Sequence, residues 1–116
     1  MMFENIEFDN KQLIINNKAV IFSYVVKDAL KIKSNVLVLL DIPMGDDTIN
    51  NLYLVDRNGS IIWRSQDLRE IYPSEVLLPY EMISISHNEI RAVDFYGRCY
   101  IINPMDGKII NRYVSR

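Results

Sequence analysis

The chain has 116 residues, 49% apolar and 24% charged, with 13 basic against 15 acidic side chains and a formal net charge of −2. That length suits one domain with a real core, and the balance excludes a disordered chain and a globally basic surface for nucleic acid. One Cys and one His exclude an internal disulfide and any multi-His or Cys-His metal cluster.

The opening MMFENIEFDNK has no basic segment followed by an apolar run, so no secretory signal is expected. The lone Cys99 suits a reducing cytoplasm. β-prone segments then recur at roughly 8–12-residue spacing, the mark of an antiparallel all-β domain. Residues 5–8, 12–15 and 19–26 form an opening strand group, punctuated by Asp9-Asn10 and Asn16-Asn17-Lys18. Residues 29–33 alternate apolar Leu30 and Ile32 with Lys31 and Lys33, predicting one dry and one wet face. After the Ser34-Asn35 turn, residues 36–40 are apolar throughout and read as a central strand, too short for a membrane span. Residues 41–51, with Pro43, Gly45 and Asp46-Asp47, form the longest predicted loop. Strands at 52–55 and 60–64 flank Asp56-Arg57-Asn58-Gly59, a hairpin signal. Ser65 is placed to cap one helical turn over 66–71, ended by Pro73. Strands resume at 82–86, 89–95, 98–103 and 108–114.

Two stretches read alike. Asn35-Val-Leu-Val-Leu-Leu-Asp41 aligns with Asn88-Glu-Ile-Arg-Ala-Val-Asp94, and residues 53–62 align with 100–110 given one insertion. Each unit, 29–66 and 82–114, reads as a four-stranded meander with an apolar face that needs a cover. The Tyr-x-x-Asp/Asn, Asp/Asn-Gly and Ile-Ile-Trp pattern resembles the blade repeat of quinoprotein-like β-propellers across residues 29–114. A propeller closes with about 4–8 blades, and this chain holds two units plus the opening group. The expected fold is therefore a single all-β domain over 1–116, an antiparallel β-sandwich or partly closed barrel. Trp63, Tyr53 and Phe22 are expected in its core.

No reaction is named by a motif. His87 falls in a predicted turn beside Asn88 and is expected to be exposed, not part of a triad. Cys99 alternates with Ile101 and reads as a small core residue. The 41–51 loop lacks the spacing of a calcium loop. Arg98, Tyr100 and Ile102 share a strand face near Arg112 and Tyr113, which a solvated outer face explains as well as a base-stacking platform. No enzyme activity, cofactor, metal, nucleic acid or membrane is expected from these residues.

Charge is distributed unevenly. Residues 1–40 carry five basic and four acidic side chains, residues 41–90 three and nine, residues 91–116 five and two. Asp41, Asp46, Asp47, Asp67, Glu70, Glu75 and Glu81 fall in or beside two long irregular segments, mixed with Met44, Ile49, Tyr72, Leu77, Leu78 and Tyr80. Apolar anchors inside a negative rim make a protein-binding face that steers a basic partner. The same acidic loops also serve solubility and edge protection. A compact acidic domain of this size resembles the immunity proteins of bacterial contact-dependent growth inhibition and related polymorphic toxin systems. That resemblance rests on size, charge and β-rich character, without a motif. It implies a cytoplasmic, cofactor-free inhibitor that binds a basic toxin domain, often a nuclease. Charge alone assigns the partner-binding set: Asp41, Asp46, Asp47, Asp67, Glu70, Tyr72, Glu75, Tyr80 and Glu81. The alternative reading is a self-associating propeller-like or sandwich module with a structural role.

Overall fold

Asparagine turns shape the first sheet. The structure, a computed structural model, describes residues 5–114, and its first strands are β1 (Ile6–Asp9), β2 (Gln12–Ile15) and β3 (Lys18–Ile21). Asn16 and Asn17 take φ of 48° and 71° between the paired residues Ile15 and Lys18. Two consecutive left-handed residues match the twist of a two-residue hairpin, and asparagine tolerates them best among side-chain-bearing residues. The second sheet holds β4 (Val25–Ile32), β5 (Asn35–Asp41), β6 (Leu52–Asp56) and β7 (Ile61–Arg64), in that order. The third holds β8 (Tyr80–Ser86), β9 (Glu89–Asp94), β10 (Arg98–Ile102) and β11 (Ile109–Val114), again as a meander. All neighbouring strands are antiparallel, and the sheets do not close into a barrel. The aligned segments 35–41 and 88–94 thus become β5 and β9, the second strands of two equivalent meanders.

Period-two alternation explains the layering. In β5, Val36, Val38 and Leu40 join Leu13, Ile15, Val20, Phe22, Val26 and Val55 in one cluster. The intervening Leu37 and Leu39 join Leu52, Leu54, Trp63, Leu68, Tyr80, Ile90, Tyr100 and Ile102 in another. Successive side chains of a strand point to opposite faces, so the middle sheet is sandwiched between the other two. Each fully buried leucine or valine contributes about 1.5–3 kcal/mol, and β5 alone buries five in a row. It is the central strand of the molecule.

Several expectations need correcting. Residues 19–26 are not one strand: β3 ends at Ile21 and β4 begins at Val25. Phe22 N–H donates to Lys11 O at 2.8 Å and Val26 N–H to Asn10 O at 2.7 Å, so the chain crosses from the first sheet to the second there. Apolar residues continue through the crossing, which hides it in the sequence. The two meanders consequently start at Val25 and Tyr80, not at 29 and 82. The helical turn is a 3-10 turn at Leu68–Glu70, capped by Asp67, whose Oδ1 accepts from Arg69 N–H at 2.9 Å. Ser65 is buried instead. Tyr100 and Ile102 face the core, fully buried, so the 98–102 strand offers no outer stacking face through them. Trp63 and Phe22 are core residues as expected, and Tyr53 is half-buried against Phe22 with ring centroids 5.3 Å apart.

Tyr80 and Ile49 are also corrections, because both are in the core and neither is available to a partner. Tyr80 is 1% exposed, its ring packs edge-on against Tyr100 at 5.6 Å, and burial pushes its phenol up. Beside it, the buried Asn51 carboxamide joins two sheets. Its Nδ2 donates to Leu40 O at 2.7 Å and Tyr80 O at 2.9 Å, while its Oδ1 accepts from Tyr80 N–H at 2.9 Å. One side chain thereby supplies the pairing that β5 and β8 cannot make directly.

Candidate functional site

The acidic residues do not form one surface. Asp41, Asp46 and Glu81 line a groove of about 530 Å³ whose walls are Ile42, Pro43, Met44, Leu78, Pro79, Phe95 and Tyr96. Three connections meet there: the loop after β5, the approach to β8, and the β9–β10 turn. The first is long because residues 42–51 are inserted where the equivalent place in the third sheet has only a tight turn. That tight turn is built by Asp94, whose Oδ1 accepts from Tyr96 N–H at 2.9 Å and Arg98 N–H at 3.0 Å, with Gly97 at φ 84°. It holds Phe95 and Tyr96 out at its apex, 81% and 59% exposed. Met44 stands fully exposed on the opposite loop. Large apolar side chains clustered in solvent around a groove are the usual mark of an interaction site.

The three carboxylates of the groove differ. Asp46 is part of the wall: Oδ2 accepts from Tyr24 Oη at 2.7 Å and Oδ1 from Thr48 N–H at 2.9 Å, and Thr48 and Tyr24 together hold its carboxyl below the ordinary range. Glu81 Oε1 is paired with Lys27 Nζ at 2.7 Å across an exposed bridge. Asp41 is exposed and has no cationic partner among the described residues.

The remaining predicted residues lie elsewhere. Asp47 and Asp67 line a polar cleft of about 370 Å³ with Arg64 and Arg69. There Arg64 Nε donates to Asn50 O at 2.9 Å and Arg69 Nη2 to Asp47 O at 2.7 Å, while Arg69 Nη1 lies 3.9 Å from Asp67 Oδ2, so the cleft's two carboxylates are balanced by its two guanidinium groups. Glu70 is exposed beside the 3-10 turn. Glu75 is tied into the fold: Arg112 Nη1 and Nη2 donate to its two carboxylate oxygens at 2.6 and 3.0 Å, and Arg98 Nη1 donates to Oε1 at 3.2 Å. Arg98 also reaches buried Asp94 Oδ2 at 2.7 Å and Val76 O at 2.9 Å. The Arg112 guanidinium sits 3.9 Å from the centroid of Tyr72. Glu75 and Tyr72 therefore strap the 71–79 segment to the third sheet, with the Glu75 charge answered by two guanidinium groups.

Hydrogen bonding from Arg112 holds the Glu75 carboxyl below the ordinary glutamate range. A carboxyl lowered in the folded state adds stability above its unfolded pKa, and that stability is lost as pH falls through the folded value. Thermal melts followed by circular dichroism should give a flat Tm from neutrality down to about pH 5 and a decline below about pH 4. Glu75→Gln should lower Tm at neutral pH and make the acid decline shallower. An unchanged acid limb in this variant would remove the strap from the account of stability.

Sequence reasoning missed Phe95, Tyr96 and Lys27. The signal for the aromatics was present, because an Asp-x-x-Gly turn exposes its two middle residues, here Phe95 and Tyr96. His87 sits exposed at a hairpin tip with φ 52°, its Nδ1 3.1 Å from Ser86 Oγ, and no described carboxylate hydrogen-bonds its ring. Cys99 is buried, though under the outer face of the third sheet and outside both core clusters. Among the described residues no three His, Cys, Asp or Glu side chains gather as a metal site. None of the described helices is long and apolar enough to cross a membrane.

Fold and groove define an all-β protein of three stacked antiparallel sheets, with an acid-rimmed apolar groove at the meeting of three connections. The chain belongs to the family described as a domain of unknown function (DUF7957), whose model matches residues 3–114. No curated protein matches it significantly.

Proposed function

We propose that this chain is a non-enzymatic binding protein that neutralises a basic protein partner, in the manner of a cytoplasmic immunity protein against a toxin domain such as a nuclease. The observation that carries the reading is the groove. Exposed Met44, Phe95 and Tyr96 border it, and Asp41 puts negative charge beside them, with Glu81 next to it in an exposed pair with Lys27. Aromatic and methionine anchors within a charged rim are the composition of an interface core and its steering field. The charge-balanced cleft at Asp47 and Asp67 and the neutralised Glu75 contribute less to such a surface.

A growth-rescue assay tests this reading. The C-terminal domain encoded by the open reading frame immediately upstream is expressed inducibly, with and without this chain. Growth arrest by that domain alone and recovery on co-expression is the expected result. A harmless domain, or one that kills regardless, would count against the inhibitor. Self-association is the competing structural role, and the outer face of the third sheet favours it, with Met82 62% and Tyr113 44% exposed beside Val93. Sedimentation at high concentration separates the two, since a strict monomer removes the structural module.

A further inference from the structure

We propose, resting on the inhibitor reading, that the groove receives one short partner segment in which a lysine or arginine adjoins an apolar side chain, and that Lys27 occupies the cation's place until it arrives. The groove's chemistry sets the occupant. Its walls are apolar at Ile42, Pro43, Leu78 and Pro79, with Met44, Phe95 and Tyr96 at its borders, and the three charged side chains that line it are all carboxylates. An anionic segment would meet the uncompensated charge of Asp41, and a purely apolar one would leave Asp41 partly desolvated without a counter-ion. A segment carrying both a cation and an apolar anchor satisfies both features.

The carboxylates divide the work. Asp46 is committed to Tyr24 and Thr48, so it shapes the loop. Asp41 is unpaired among the described residues, and Glu81 holds Lys27 at 2.7 Å with both side chains more than a third exposed, 39% and 35%. An ion pair that exposed is worth little and exchanges readily for another cation. Lys27 is thus an internal competitor, and removing it should favour the incoming cation.

The probe is a fluorescein-labelled octapeptide alternating lysine with leucine, compared with lysine–glycine and glutamate–leucine octapeptides by fluorescence anisotropy. The lysine–leucine peptide should bind, more tightly at low ionic strength, and each control at least about tenfold more weakly. Lys27→Gln should tighten binding by about two- to fivefold. Asp41→Asn, Phe95→Ser and Met44→Ser should each weaken it, the aromatic by about tenfold, and Glu89→Gln, at the end of β9 away from the groove, should leave it unchanged. Far-ultraviolet melts confirm that each variant is folded, and the two apolar variants lie on separate loops, so misfolding of one leaves the other decisive. Failure to bind the lysine–leucine peptide, equal binding of the glutamate–leucine peptide, or indifference to Phe95 and Met44 would overturn the groove assignment. An unchanged affinity in Lys27→Gln would overturn the placeholder. Growth rescue that survives Asp41→Asn and Phe95→Ser would overturn the groove while leaving the inhibitor standing, and peptide capture without rescue would do the reverse.

Discussion

Asn51→Leu is expected to lower the unfolding free energy by about 2–4 kcal/mol while keeping the side-chain volume. The carboxamide is 1% exposed and makes three hydrogen bonds, to Leu40 O, Tyr80 O and Tyr80 N–H. Leucine fills the space and satisfies none of them. A buried backbone group left without a partner costs about 1–3 kcal/mol, and the carbonyl of Leu40 and both backbone groups of Tyr80 lose this one. Relaxation that admits water at the sheet junction recovers part of the cost, which sets the total below the sum of three. Urea unfolding of the wild type and the variant measures it. A loss under about 1 kcal/mol would mean that the two sheets are joined by packing between Leu37, Leu39 and Tyr80 without help from the polar bridge. Asn51→Asp should also destabilise at neutral pH, because a carboxylate would face two carbonyl oxygens.

Gly107→Ala should cost about 2–4 kcal/mol, from two sources. Gly107 has φ 76°, a conformation that an L side chain adopts with strain. A Cβ there would also lie 2.7 Å from the Trp63 ring atoms Cδ2 and Cε3. The indole has little freedom to retreat: it is 8% exposed and its Nε1 donates to Pro104 O at 2.9 Å. Gly45→Ala is the matched control, with φ 91° and nothing within 4 Å of the added carbon. It carries the conformational cost alone, about 1–2 kcal/mol. The difference between the two variants isolates the contact with Trp63. Quenched or shifted tryptophan fluorescence in Gly107→Ala, absent in Gly45→Ala, gives an independent reading, since Trp63 is the chain's one tryptophan. Equal losses in the two variants would mean that the indole moves aside without cost.

The strands were legible because their signals are local. The apolar run at 36–40 and the Asp-x-x-Gly turn at 56–59 depend on neighbours in the chain and appear where expected, whereas the strand read at 29–33 runs from Val25 to Ile32 and its turn falls at Lys33-Ser34, one residue before Ser34-Asn35. The crossing at Phe22 to Tyr24 was not legible, since its apolar residues serve two different sheets. Of the nine predicted binding residues, charge identified the loops but could not say which carboxylates had partners. Arg98 and Arg112 reach Glu75 from 23 and 37 residues away, and nothing near Glu75 in the chain announces them. Tyr80 was read as a surface anchor from its acidic neighbours, whereas its strand position turns it inward.

By itself the sequence determined an all-β chain of short antiparallel strands, the turns between them, and an acidic middle third, because backbone preference and side-chain alternation act within a few residues. Only the tertiary structure decided that the middle sheet is covered on both faces, that Asn51 bridges two sheets, and that Asp41 and Glu81 share a groove with Phe95 and Tyr96. Those facts depend on which faces pack together and which distant charges meet, and such pairings are set by burial and contact in three dimensions rather than by spacing along the chain.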